Sequence, residues 1–148
     1  MDAPGTASTG PLDRLKVINW AQMQAGQEWI RSRGLSVQQA FVLDYLADHP
    51  GAIQRDIAEA TRTTPANVSG VLRGLEARGL VERRFEDGDV RSKRVFATDA
   101  GIDLISGHEE AMRAVDESIL APLTVQERAT LQALLDKITA VLPGLGES

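Results

Sequence analysis

The 148-residue chain, 43% hydrophobic but only 4% aromatic, can build one aliphatic-cored lobe plus helices shared with a partner, which argues against a large aromatic ligand cage. It has no cysteine and only two histidines, His49 and His108, so disulfides, thiolate chemistry and a His-based metal centre are excluded; no cofactor or metal is implied. The net charge of −5 runs against binding a polyanion over the whole surface, but residues 52–98 hold nine basic side chains against seven acidic, whereas residues 1–51 carry −1 and 99–148 carry −6.

Residues 1–11 (MDAPGTASTGP) have no periodicity and read as a disordered arm; Met1-Asp2-Ala3-Pro4 lacks the basic and apolar regions of a signal peptide. No apolar run is long enough for a membrane span, so a cytoplasmic location with no membrane partner is expected. A helix is predicted from Leu12 to Ile30, with Leu15, Ile18, Ala25 and Trp29 apolar and Trp20 and Met23 beside them; Arg31-Ser32-Arg33-Gly34 closes it. It is too apolar to stand without a partner surface. Ser36-Val37-Gln38-Gln39 fits a capping box, and the helix it starts runs through Phe41, Leu43, Leu46 and Ala47 to His49-Pro50-Gly51. His49 suits the negative end of that helix dipole better than a ligand role.

Ile53 is read as a short strand, and Gln54–Thr61 as a helix with Ile57, Ala58 and Thr61 inward. At the corner Thr61-Arg62-Thr63, either Arg62 takes a left-handed conformation, costing roughly 1 kcal/mol relative to Gly, or the turn is built differently. The next helix has Thr64 as N-cap and Pro65 at its first position, with Val68, Val71, Leu72 and Leu75 as a buried stripe. Its other face carries Ala66, Gly70, Arg73 and Ala77, flanked by Asn67 and Ser69: small, polar and basic, as close approach to a nucleic-acid groove requires. Arg78 reads as a solvated helix charge, and Gly79 ends the helix. Leu80–Phe85 and Lys93–Ala97 follow as strands around an Asp87-Gly88 hairpin tip. Helix, corner, helix and basic hairpin make a winged helix-turn-helix plan, in a chain that is mainly α (α+β).

Thr98 caps a long helix with Ile102, Ile105, Met112, Val115 and Ile119 on one stripe up to Pro122. Thr124-Val125-Gln126-Glu127 is a second capping box, and Leu131, Leu134, Leu135, Ile138, Val141 and Leu142 line the last helix before Pro143-Gly144. One lobe cannot cover three apolar helices, so a homodimer is expected, buried through Leu12, Leu15, Ile18, Met112, Val115, Ile119, Leu131, Leu134, Leu135, Ile138 and Leu142, with an intramolecular helix bundle as the alternative. The expected division is an arm (1–11), a dimerisation helix (12–34), a DNA-binding lobe (35–98), C-terminal dimerisation helices (99–143) and a tail (144–148).

The run Asp89-Val90-Arg91-Ser92-Lys93-Arg94-Val95-Phe96-Ala97-Thr98-Asp99-Ala100-Gly101 resembles the wing pattern D-x-R-x-x-x-V-x-L-T-x-x-G of MarR-family transcriptional regulators, with Ala97 in place of Leu. Leu75-Glu76-Ala77-Arg78-Gly79-Leu80-Val81 is similar to that family's exit from its reading helix. The resemblance implies a dimer interlocked through its first and last helices, and an ion pair in which Asp89 positions Arg91. It also implies a small-molecule effector held between the dimer helices and the lobe, for which Trp20, Met23, Trp29, Phe41 and Tyr45 are candidate liners; core packing is their alternative role.

Double-stranded DNA is the expected partner. Asn67 offers a bidentate amide to adenine, and Arg73 a fork to guanine or phosphate. Gln54, Thr64 and Ser69 suit phosphates, Ala66 and Gly70 leave room for the groove wall, Arg91 suits the minor groove, and Lys93 and Arg94 add backbone charge. Gly70 and Gly74 stand where base-reading side chains are common in the family, so modest discrimination by the helix is expected. A winged helix used for protein contacts, or a regulator answering to a partner protein, is the alternative. An enzyme is not expected: His108-Glu109-Glu110 lacks the second His of a zinc-protease helix, and no nucleophile elbow or phosphate loop is present.

Overall fold

The computed structural model describes residues 10–85 and 93–144. Its elements run α1 (Pro11–Ser32), α2 (Val37–Asp48), α3 (Gln54–Ala60), α4 (Pro65–Ala77), β1 (Val81–Phe85), β2 (Lys93–Ala97), α5 (Asp99–Ile105), α6 (His108–Leu120) and α7 (Val125–Thr139). The strands form an antiparallel ribbon from Val81 opposite Ala97 to Phe85 opposite Lys93. Among the described residues, no helix is long and apolar enough to cross a membrane.

Local chemistry sets the helix starts. Ser36 and Gln39 complete one capping box and Thr124 and Glu127 the other, while Thr64 and Thr98 accept from Asn67 N and Gly101 N. Each side chain thus satisfies an amide that the first helical turn leaves unpaired. The Thr124 bonds hold the Glu127 carboxyl below its ordinary pKa.

The core lies in the lobe. Leu43, Leu46, Ile57, Val68, Leu72, Leu75 and Val95 are fully enclosed, where α2 meets α3, α4 and the ribbon. The stripe read on α4 is buried as expected, with Val71 half-buried at its edge. The pattern on α2 differs: Ala40, Val42, Leu43 and Leu46 point inward, whereas Phe41 is 56% exposed and Ala47 also faces solvent. A helix packed on several sides spreads its apolar residues around the axis, so apolar character alone does not identify the inward face.

Two further expectations are corrected. Ile53 is no strand; it is the N-cap of α3, and Ala52 makes the bridge to Val95. The helix expected from Thr98 to Pro122 is two helices, broken where Ser106 is extended and Gly107 turns left-handed at φ +85°. The break lets α5 stay on the lobe, held on α2 by Ile105, while α6 leaves to pack along α1. Gln22 donates to Asp116 across that contact at 2.7 Å. Gly101 allows the tight seat of α5: an added Cβ would lie 2.2 Å from Leu80 O and 3.2 Å from Leu43 Cδ2.

Outside the lobe, burial nearly stops. Of α1 only Ile30 is buried, and α6 and α7 have no buried residue.

Candidate nucleic-acid interface

The α3–α4 pair is joined by the Thr61-Arg62-Thr63 corner, where Arg62 adopts φ +54° without a glycine. The left-handed alternative is therefore the one adopted. The corner is closed by Thr63 N donating to Ala58 O at 2.9 Å and Thr61 Oγ1 to Ile57 O at 2.7 Å, which offsets the conformational cost.

On α4, Ala66, Asn67, Gly70 and Arg73 are exposed and Ser69 is half-exposed, opposite the buried Val68, Leu72 and Leu75. Asn67 Nδ2 donates to Thr63 Oγ1 at 3.0 Å, so the amide of this exposed residue is held at the helix start and still has a carbonyl oxygen and a second N–H to offer. Thr64 Oγ1 accepts the cap bond and keeps its own proton for an acceptor outside. Arg73 makes no ion pair among the described residues. Around Gly70 nothing would lie within 4 Å of an added Cβ, whereas Gly74 faces Gln39 Nε2 at 3.4 Å. Gly70 therefore opens outward, and Gly74 faces α2.

The structure gives Gln54 a different first task from the phosphate contact read in the sequence. Its Nε2 donates to Pro65 O at 2.7 Å, clamping the start of α3 to the start of α4. Arg94 likewise turns back on the lobe, where its guanidinium reaches Gly51 O at 3.4 Å. Lys93 stays exposed, its Nζ 5.3 Å from the Phe85 ring. Sequence reading missed Arg84, which is exposed on β1, lies 4.4 Å over the Phe96 ring and pairs with Glu82. The alternating pattern of the strand could have pointed to its outward side chain. Arg83, one residue earlier, turns inward to Glu76 of α4 at 3.2 Å with only 15% of its side chain exposed, tying the ribbon to the helix. Asp89 and Arg91, with the rest of the hairpin tip, lie outside the described residues.

The five candidate effector liners do not share one site. Met23 and Phe41 line a cavity of about 410 Å³ between α1, α2 and α6, with Ile30, Val37, His108 and Met112. Phe41 and Tyr45 border a second, more polar one of 350 Å³ beside Asp44, Asp48 and Arg62. Trp20 and Trp29 line neither. Trp29 packs on the core, with its ring edge-on to His108 at 5.1 Å and the Arg33 guanidinium 4.4 Å from its centroid. His49, read as a helix-end residue, caps α2, stacks on Tyr45 at 4.3 Å and donates from Nδ1 to Tyr45 O.

Two helices across a tight corner, the second with a bare outer face and a ribbon tied to its C-terminal half, define a winged helix-turn-helix protein. The comparisons give the particular family. The model of the MarR family matches residues 33–92. The transcriptional regulator HosA of Escherichia coli O127:H6 is 31% identical over 104 residues, spanning 70% of this chain and 77% of that protein. The HTH-type transcriptional repressor Rv2887 of Mycobacterium tuberculosis is 30% identical over 105 residues, 71% and 76% of the two chains. The Staphylococcus aureus MepR–DNA complex superimposes with a TM-score of 0.72 at 26% identity, covering 85% of this chain and 95% of MepR. This chain belongs to the MarR family.

Proposed function

We propose that this protein is a homodimeric, sequence-specific DNA-binding repressor of transcription. Its two α4 helices enter major grooves on one face of a pseudo-palindromic duplex, about one turn (~34 Å) apart. The observation that carries the reading is the α4 face, exposed and small, polar or basic from Ala66 to Arg73, beside a cationic ribbon. Asn67 presents its amide edge to adenine and Arg73 its fork to guanine or phosphate. Thr64, Ser69 and Lys93 take phosphates, and Arg91, positioned by Asp89, takes the minor groove. Since Gly70 leaves a gap where a side chain could read a base, DNA shape carries much of the discrimination.

The dimer is supported by α7, whose Leu134 is 55% exposed with Ile138 and Leu142 beside it, and by Leu12 and Ile18 of α1. An exposed apolar stripe of this kind marks an interaction surface, and a second copy of the chain is the partner that covers it. Occupancy of a promoter by a dimer blocks polymerase, which fits the repressor named among the relatives. The 410 Å³ cavity lined by Met23, Phe41, His108 and Met112 suits a small effector, which acts only through different affinities for two lobe spacings. A cytoplasmic location follows from this role.

Selection of bound duplexes from a random pool by the purified protein tests the reading. A two-fold symmetric site is expected, and failure to enrich any sequence, or enrichment by a monomer at a single half-site, overturns it. Competition with excess nonspecific DNA separates it from a protein-docking role.

A further inference from the structure

The two ends of α4 are held in different ways. Gln54 clamps its start to α3, a neighbour within the same helix-turn-helix. The C-terminal end is tied to the ribbon by the Arg83–Glu76 pair and to the turn after α1 by Arg78, whose Nη1 donates to Gly34 O at 2.7 Å across 44 residues of sequence. Gly34 lies in the turn that ends α1, the helix read above as a dimer helix. The turn itself is fixed: Gly34 is left-handed at φ +69°, its N–H donates to Arg31 O at 2.9 Å, and Leu35 N donates to Ile30 O at 3.3 Å. Ile30 and Leu35, on either side of it, are both buried in the lobe core. A side chain at position 34 would be strained by that φ and would sit 3.4 Å from Arg78 Nη2. The carbonyl is therefore presented from a rigid seat.

We propose that Arg78 is a positioning residue, a latch that sets the angle of the reading helix relative to the dimerisation helix and so the spacing of the two α4 helices in the dimer. The inference rests on the DNA-binding reading above. α1 and α4 are otherwise related through α2, against which both pack. A charge-assisted bond from guanidinium to a carbonyl is short, directional and stronger than a neutral one. Arg78 is exposed and outside the groove-facing set, so its loss removes no direct base contact. Without the latch, the C-terminal end of α4, still tied to the ribbon by Glu76, has a wider range of angles relative to α1, and a dimer must select the one that matches both half-sites. A single half-site imposes no such demand. Arg78 therefore acts on full-site affinity and on spacing tolerance.

The test has two arms. In the first, Glu28→Cys and Ala66→Cys carry spin labels in a chain that has no native cysteine, diluted with unlabelled protein so that only the distance within one chain is read. The parent should give one narrow α1–α4 distance, Arg78→Ala a broadened or displaced one, and Arg78→Lys, which keeps a donor but not the planar fork, an intermediate one. Identical distributions in parent and Arg78→Ala overturn the latch, and this arm does not depend on DNA. In the second, the duplex selected by the parent is compared with a duplex holding one half-site and with duplexes altered by one or two base pairs between half-sites. Arg78→Ala should lose about tenfold on the full site, as expected when the competent geometry becomes a minor state, and keep its half-site affinity. It should also discriminate less among spacings. An equal loss on half and full sites overturns the latch, whereas failure of the parent to bind any duplex overturns the DNA-binding reading and leaves the distance result standing.

Discussion

Two helical glycines give opposite predictions for the same substitution. Gly101→Ala places a Cβ 2.2 Å from Leu80 O, with Leu80 C at 3.1 Å and Leu43 Cδ2 at 3.2 Å behind it. Two of these neighbours are backbone, so no rotamer change relieves the clash; α5 must move. The movement acts on the joint where Thr98 N donates to Leu80 O at 3.0 Å and Thr98 Oγ1 to Gly79 O at 2.7 Å. Overpacking of this kind costs about 1–3 kcal/mol and weakening the joint about another 1, against ~1 kcal/mol gained in helix propensity, leaving a net loss of about 2 kcal/mol. For a chain of this size that lowers Tm by about 4–8 °C. Gly70→Ala meets nothing within 4 Å in an exposed helix face, so it should gain the propensity alone, about 0.8–1.0 kcal/mol, and raise Tm by about 2–4 °C. Thermal unfolding by circular dichroism at one fixed protein concentration measures both, since dimerisation would make Tm concentration-dependent. Equal Tm values for the parent and Gly101→Ala would refute the close-approach argument. A Gly70→Ala variant that is no more stable than the parent would show that the outer face of α4 is covered.

The other expectations concern binding, assembly and pH. Arg91→Ala and Arg73→Ala should each weaken binding to the selected duplex and flatten the dependence of log affinity on log salt by about one phosphate contact (slope change ~0.9), measured by anisotropy titration; an unchanged slope removes that residue from the interface. Leu134→Glu places a charge in the exposed stripe of α7 and should convert the dimer to monomer in sedimentation, abolishing full-site binding; a dimer of unchanged strength would move the interface elsewhere. The Glu127 carboxyl is held below its ordinary value of 4.5 by the Thr124 cap, so its stabilisation is complete above that value and disappears as pH falls through the lowered one. The largest cause is the Thr124 backbone N–H, which donates to Glu127 Oε1 and survives a change of side chain at 124, so Glu127→Gln should remove that acid-side dependence in a pH series of melting curves, and retention of the full dependence would assign it to another group.

Much of the lobe was legible in the sequence because the relevant physics is local. A cap residue and its N–H partner lie three positions apart, so Ser36, Thr64, Thr98 and Thr124 could be assigned from spacing alone. The buried stripe of α4 was equally plain, because one helix face meets one core and the opposite face meets none. The break at Ser106-Gly107 was not, since the apolar spacing continues across it and only the different destinations of α5 and α6 require it. The same limit applies to Phe41, apolar in the right register but turned outward on a helix whose inward side is chosen by five neighbours, α1, α3, α4, α5 and β2.

The sequence by itself determined which segments are helical, where the capped ones start, which face of α4 is bare, and that more apolar surface exists than one lobe can cover; it did not reveal the start of α6. Tertiary structure alone decided which polar side chains remain available. Gln54, Arg78 and Arg94 all read as available for solvent or DNA, yet each reaches a carbonyl distant in the chain, and Arg83 likewise turns back to the Glu76 carboxylate. The reason is distance along the chain: a side-chain bond across 11 or 44 residues leaves no periodicity, and only packing the elements brings its two ends together.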